Sequence, residues 1–461
     1  MQIRPKVGLL PLYIELYYSS SPKMTPVVTT FRDKIADRLR AEGLDVETAK
    51  ICSLAHDFED AVAAFENDGC EAIVTLHLAY SPSLESSDVL AKTKLPIFVL
   101  DTTPTYSFTP SIDAGDGINY NHGIHGVQDM CNLLLRNGKD FSIFTGHYLY
   151  SDVIKELSDA VRAYAASKRL SGMKTALIGD PFKGMGDFDC GREALSSLGI
   201  EVIDCQPGEI KPFVISDDEI KEEYELDKAR FDVSAVPFDD YAKTERVALA
   251  VRRWLDDYEI GAFTMNFQSA GLLDGFDTMP FTEASKAMAR GVGYAGEGDL
   301  LTASVCGALL PYFPDATFME MFCPDWAENR VYLSHMGELN LLAMERGHMV
   351  VRPFTFAPGF DPTTVYGVFK PGRACIVNTA PTKDGFRLVL AEGEMCALPP
   401  EIGSFSTAIS GWFRPNIPIR ELLKKYSLAG GTHHSVLVYG ATAESLSLFA
   451  GGIGAEAVVI E

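Results

Sequence analysis

Glu297 stands between a glycine-rich run, Gly291-Val-Gly-Tyr-Ala-Gly296, and the pair Gly298-Asp299. The run matches the letters of a dinucleotide fingerprint, but that motif needs a strand before it and a helix directly after. Here residues 283–290 read as a helix, so nucleotide binding is set aside. The glycines instead shape a loop that presents Glu297-Gly-Asp299. Asp299 is suited to cap an apolar helix over 300–310, which would hold Glu297 near a positive helix end. Taken alone, Glu297 is equally a capping carboxylate on a surface loop.

A second carboxylate lies in Thr317-Phe-Met-Glu-Met-Phe322, which reads as a strand. With a period of two, Glu320 shares a face with Phe318 and Phe322. Such a carboxylate is expensive to bury unless it is paired or bound to a cation, and unpaired it would have a raised pKa useful for proton transfer. The alternative is a solvent-facing strand. His335 lies in Leu333-Ser-His-Met-Gly-Glu338, where a lone histidine is ordinarily structural. His433-His434 comes after the turn Gly430-Gly431 and opens a strand over 435–439. Strand alternation predicts that only one of the two enters a given site. Two carboxylates and two imidazoles, with no thiolate nearby, suit a divalent ion such as Mn²⁺ or Mg²⁺ better than structural zinc.

Earlier in the chain, His122 and His125 are one helical turn apart, and Gly146-His147 ends a predicted strand, where open α/β sheets place ligands. Capping or surface histidines are the competing reading. There is no GxSxG elbow and no P-loop.

These residues must be positioned by the elements around them. The first third alternates strands (7–10, 46–51, 72–78, 96–100, 141–144) with helices (25–42, 58–65, 125–135, 152–166), the pattern of a parallel sheet covered by helices. A new βα series begins at 175–178 and runs through strands 201–203 and 262–267 and helices near 217–230 and 240–257. Beyond residue 320 short strands (349–356, 364–369, 374–378, 386–390) are divided by Pro/Gly/Asp turns, with little helix. The fold class expected is α/β: two doubly wound domains with parallel sheets, residues 1–170 and 171–318, and then a β-rich, barrel-like domain over 319–461.

With 461 residues, 47% hydrophobic and 22% charged, the chain has a folding composition and room for about three domains. Its 40 basic and 63 acidic side chains leave a net charge of −23, which repels phosphate backbones and anionic lipid. Neither nucleic acid nor membrane is an expected partner. The nine cysteines are scattered, without a CxxC pair, and no targeting or membrane-spanning segment is recognised, so a reducing, cytoplasmic setting is expected.

From residue 120 onward the chain resembles the L-arabinose isomerase family, related to L-fucose isomerases. The blocks that carry the resemblance are Ala262-Phe-Thr-Met-Asn-Phe267, Gly293-Tyr-Ala-Gly-Glu-Gly-Asp299, Phe318-Met-Glu320, Ser334-His-Met336 and Leu428-Ala-Gly-Gly-Thr-His-His434, with His125-Gly126 and Gly146-His147 upstream. The resemblance implies a metal site of Glu297, Glu320, His335 and His434, with the two glutamates also as the catalytic acid/base pair. His125, Phe267 and His433 would contact the sugar. It implies a divalent metal, Mn²⁺ before Mg²⁺ or Co²⁺, and a homohexamer or homotrimer with shared active sites. The implied activity is aldose–ketose isomerisation of a pentose or deoxyhexose-type sugar through an ene-diolate. A non-catalytic cytoplasmic sugar-binding protein, or a metal-dependent epimerase or aldolase, is the alternative. Two segments depart from the family pattern: Pro11-Leu-Tyr-Ile-Glu-Leu-Tyr17 and Val127-Gln128-Asp129 after His125-Gly126. They point to a sugar other than L-arabinose.

Overall fold

The computed structural model describes residues 3–109, 116–269, 273, 275–335, 337–354, 359–398 and 411–461. Met336 of the Ser-His-Met block, and the end of the strand expected over 349–356, lie outside them. The chain forms two compact units, one of Arg4–Ala165 and one of Met1–Ile3 with Ala166–Glu461.

The smaller unit is a five-stranded parallel sheet of β1 (Lys6–Leu12), β2 (Asp45–Thr48), β3 (Ala72–His77), β4 (Ile97–Asp101) and β5 (Phe141–Thr145). Its order is β2-β1-β3-β4-β5. Strands β1 and β3 are apolar and almost wholly buried, as central strands of a covered parallel sheet must be. The expected helix over 25–42 runs from Met24 to Ala41 and buries Val28, Phe31, Ile35 and Leu39 at helical spacing.

The larger unit holds a second parallel sheet of β6 (Lys174–Ile178), β7 (Glu201–Asp204), β8 (Ala262–Met265) and β9 (Gly293–Gly296), in the order β7-β6-β8-β9. The glycine run expected to be a loop is therefore largely strand β9. The helix Leu300–Leu309 lies so close across it that a Cβ on Gly293 would fall 2.2 Å from the Gly307 nitrogen. Glycine is ordinarily a turn signal; here it makes room for a helix.

The remaining strands are β10 (Thr317–Asp325), β11 (Arg330–Ser334), β12 (Met344–Val351), β13 (Thr363–Phe369), β14 (Gly372–Thr382), β15 (Gly385–Met395), β16 (Gly411–Pro415), β17 (His434–Tyr439) and β18 (Glu456–Val459). Strands β14, β17, β10, β11, β16 and β15 pair in sequence, and β15 pairs back onto β14, closing a ring. Closure removes the edges of the sheet, and β18 adds in parallel to β15. The ring is filled by Met319, Leu333, Ile376, Val389, Met395, Phe413 and Leu437. The β-rich end is also more helical than expected, with Ile419–Leu428 and Ala443–Ile453. Among the described residues no helix is long and apolar enough to cross a membrane, and all nine cysteines are free.

Candidate functional site

Glu297 directly succeeds β9, with a left-handed backbone (φ 65°) that only two other non-glycine residues share among those described. Its neighbourhood fixes that conformation. The Glu297 N–H donates to Met265 O at 2.7 Å, its carbonyl accepts from the Phe182 N–H at 2.9 Å, and the Gly298 N–H donates to Thr264 Oγ1 at 2.9 Å. A residue held in a sparsely populated conformation from several sides is a mark of a functional position.

Glu320 reaches the same place from the ring. It sits in β10 directly opposite His434 of β17 on one side and Ser334 of β11 on the other. Cross-strand pairing thus brings Glu320 Oε1 to 3.0 Å from His434 Nε2, and Glu297 Oε2 lies 3.5 Å from that nitrogen. Both histidines of the pair take part: His433 Nε2 is 3.7 Å from Glu320 and 3.9 Å from Glu297. The alternation argument fails here because β17 starts at His434, leaving His433 in the preceding bend, free of the strand's two-residue period.

Ligand atoms of Glu297, Glu320, His433 and His434 all lie within 4.8 Å of one another. His335 stands just outside that group. Its ring is 6.2 Å from that of His434 and packs so closely on the β9 end that a Cβ on Gly296 would come within 3.3 Å of its Nε2. Phe318, fully buried, lies 4.6 Å from the His335 ring and 5.0 Å from the His434 ring, wedging them in place.

Each of the three imidazoles has its Nδ1 on a carboxylate: His434 on Asp299 at 2.9 Å, His335 on Glu338 at 2.6 Å and His433 on Asp187 at 2.7 Å. A carboxylate only accepts, so Nδ1 donates in every case. Metal-binding histidines characteristically carry such a partner. Asp299 is the helix cap that the sequence predicts, accepting from the Thr302 N–H at 2.8 Å; its other oxygen serves His434. Glu338, three residues after His335, also accepts from Tyr294 Oη at 2.7 Å. Asp187 comes from a segment in which no motif points to it.

The electrostatics reflect this crowding. Burial alone would push the Glu297 carboxyl up, but His433 and His434 hold it down to about 2. Glu320 is likewise lowered against its burial, by His434 and then His335. Burial opposes the charged form of His434, yet Asp299 and the two glutamates raise it well above the ordinary range. Even so, Glu297 Oε2 and His434 Nε2 are buried with no hydrogen-bond partner. Two buried polar atoms without a hydrogen-bond partner, facing one another in a carboxylate–imidazole pocket, fit a hard or borderline divalent cation that would displace the imidazole proton.

The other expected residues lie around or away from this centre. Phe267 lies just past β8, the strand next to β9, and its ring meets Phe182 at 5.6 Å and Phe354 at 6.1 Å. His125 belongs to the smaller unit, exposed on the helix Gly123–Arg136, with His122 5.5 Å away. His122 precedes the first turn of that helix without a side-chain capping bond, and its Nε2 lies 3.1 Å from Tyr17 Oη. His147 lies just past β5, 5.2 Å from the Tyr106 ring and 5.1 Å from that of Tyr150.

Residues 194–310 match the L-arabinose isomerase central domain and residues 315–456 the L-arabinose isomerase C-terminal domain. Among curated proteins, the L-arabinose isomerase of Shewanella baltica is 25% identical over 420 residues, covering 87% of this chain and 82% of that protein. That of Shouchella clausii is 26% identical over 414 residues, covering 87% and 83%. That of a Nocardioides species is 25% identical over 414 residues, covering 86% and 82%. The matched domains span more than half of the chain and contain both glutamates and all three histidines of the centre, and the chain belongs to the L-arabinose isomerase family of aldose–ketose isomerases.

Proposed function

We propose that this cytoplasmic enzyme interconverts an aldose and its ketose, on a pentose or deoxyhexose-type sugar, through an ene-diolate. A divalent cation, Mn²⁺ before Mg²⁺ or Co²⁺, would be held by Glu297, Glu320, His335 and His434. The observation that carries the reading is the pair of buried, unpartnered atoms Glu297 Oε2 and His434 Nε2, 3.5 Å apart, with Glu320 beside them. His335 and His433 compete for the fourth position. Burial favours His335, whose side chain is 6% exposed against 39% for His433, and whose partner Glu338 is buried as well. His433 then faces the sugar, together with Phe267.

When bound, the cation would supply positive charge where an ene-diolate develops its negative charge. The protein's own part is proton movement and orientation. The neighbouring imidazoles keep the Glu297 carboxyl ionised at neutral pH, so it is an anion available to the cation and to the sugar. One glutamate carries the proton between C1 and C2; the other takes and returns the hydroxyl proton. Such acid–base help is typically worth about 10²–10⁴-fold.

A panel of aldoses and ketoses, assayed with Mn²⁺ in deuterated water and read by NMR, tests this reading. The expected result is an aldose–ketose pair labelled at the carbon next to the carbonyl. A sugar that binds without conversion would favour the binding-protein alternative, and a cleaved or epimerised product the aldolase or epimerase. The altered segments at 11–17 and 127–129 support a substrate other than L-arabinose; a catalytic efficiency for L-arabinose far above every other sugar would contradict this. Exposed His125 supports assembly into a homotrimer or homohexamer in which it serves a neighbouring copy's site. A fully active monomer by light scattering would overturn that assembly.

A further inference from the structure

One charged side chain reaches the centre from far along the chain and belongs to none of the blocks that carry the family resemblance. Asp187 lies in the segment of residues 179–190 that joins β6 to the helix Gly191–Ser197. Its Oδ2 accepts two hydrogen bonds from one residue, from the His433 main-chain N–H at 2.9 Å and from His433 Nδ1 at 2.7 Å. The next residue, Phe188, is buried and lies flat against the His434 ring, 5.0 Å away and 8° from parallel. Two consecutive residues of one segment therefore hold two consecutive histidines of another. The same segment is tied to Glu297 through the Phe182 N–H, and Pro181 packs on Gly298.

The three carboxylates behind the imidazoles are not equivalent. Asp299 and Glu338 are closed off from solvent, whereas the Asp187 side chain is 41% exposed and the His433 side chain 39%. His434 keeps its orientation through Asp299, Phe318 and its place in β17, with or without Asp187. His433 lies before the strand, and Asp187 Oδ2 is its hydrogen-bonding anchor at Nδ1. Without it a half-exposed imidazole is free to turn toward water, away from Glu297 and Glu320.

We propose that Asp187 is a positioning residue: it sets the His433 ring so that Nε2 stays close to Glu297 (3.9 Å) and Glu320 (3.7 Å), at the side of the cation position where the sugar would react. This rests on the reading of the site as a metal-assisted isomerase, and it predicts a defect in turnover separable from metal binding. Asp187→Ala should lower kcat by about 10–100-fold, the range typical of a lost supporting carboxylate. Its KM, its thermal midpoint and its Mn²⁺ affinity by calorimetry should stay close to those of the parent. Asp187→Asn, whose amide oxygen still accepts from both His433 N–H groups, should recover most of the lost turnover. Parent-like kcat in Asp187→Ala, an Asp187→Asn no better than Asp187→Ala, or Mn²⁺ affinity falling in step with kcat would each overturn the proposal. A parent enzyme that turns over without any divalent metal is a different outcome; it would sink the proposed function itself.

Discussion

Glu223, Asp227 and Glu245 bring their carboxylates as close together as Glu297 and Glu320 come to the histidines, yet the two clusters are neutralised in different ways. In the first, the helices Asp217–Lys228, Phe238–Asp257 and Phe281–Arg290 enclose an ammonium of the chain itself. Lys286 Nζ lies 2.8 Å from Glu223, 2.6 Å from Asp227 and 3.1 Å from Glu245, and Arg252 ties Glu223 to Glu283. Burial would strip the proton from Lys286, but the three carboxylates hold it there. In the second cluster, among the described residues, the ion pairs of Glu297 and Glu320 are all with histidines. An imidazole gives up its proton to a competing cation; a buried, triply paired lysine does not. The first cluster is a staple between helices, and the second leaves room for a metal.

The contrast is sharpest when each cluster loses its key group. Lys286→Met leaves three buried carboxylates around an apolar chain and should destabilise the fold by about 3–5 kcal/mol, as breaking a buried ion pair does. Urea unfolding measures it, and Mn²⁺ binding should be unaffected under native conditions. Glu320→Gln should do the reverse. It keeps the volume and the fold but removes an anion and a proton carrier, so turnover should fall at least about 10²-fold, or roughly 2.7 kcal/mol in barrier. The rise in thermal midpoint on adding Mn²⁺ should shrink with it, since a ligand of the native state stabilises by mass action. Near-parent turnover with an unchanged Mn²⁺ shift would leave Glu320 a structural partner of His434 and nothing more.

Asp299→Asn separates the helix cap from the histidine support. Asparagine still caps, but it no longer offers His434 a carboxylate, so Mn²⁺ affinity should drop by about 10–100-fold with little loss of stability. Calorimetric titration decides it. Asp299 also marks how far local sequence reaches. Its capping role is legible because it is written within three residues, at Thr302. Its bond to His434 spans 135 residues, and that of Asp187 to His433 spans 246; no local pattern encodes either. Glu297, Glu320, His335 and His434 are legible as candidates because each sits in a short block of unusual residue types. That β10 and β17 pair Glu320 with His434 depends on ring closure, which periodicity does not specify. The helices at 419–428 and 443–453 escape a pattern reading because the strand and turn signals around them dominate it.

A last contrast concerns a histidine of the other unit. His77, at the end of β3, is buried with neither ring nitrogen hydrogen-bonded, and burial depresses it to about 3 despite the opposing pull of Asp129. His335, His433 and His434, each with a carboxylate at Nδ1, are all raised. A histidine depressed in the folded state contributes stability that is present above its unfolded value and lost as pH falls toward the folded one. Between about pH 6.5 and 3, His77 should therefore cost about 1.4 kcal/mol for each pH unit of acidification. His77→Leu should remove that slope. The difference between parent and variant in urea unfolding at pH 7 and pH 5 measures it, and parallel pH profiles would show that His77 takes up its proton in the folded protein.

If Glu297, Glu320 and the histidines around them work through a divalent cation, removing it must abolish activity. The decisive experiment is exhaustive chelation followed by turnover assays on the sugar that the panel identifies. Turnover should vanish in the metal-free enzyme and return on adding Mn²⁺, in proportion to the ion bound at one site per chain. Undiminished turnover after verified metal removal would contradict a role for the cation.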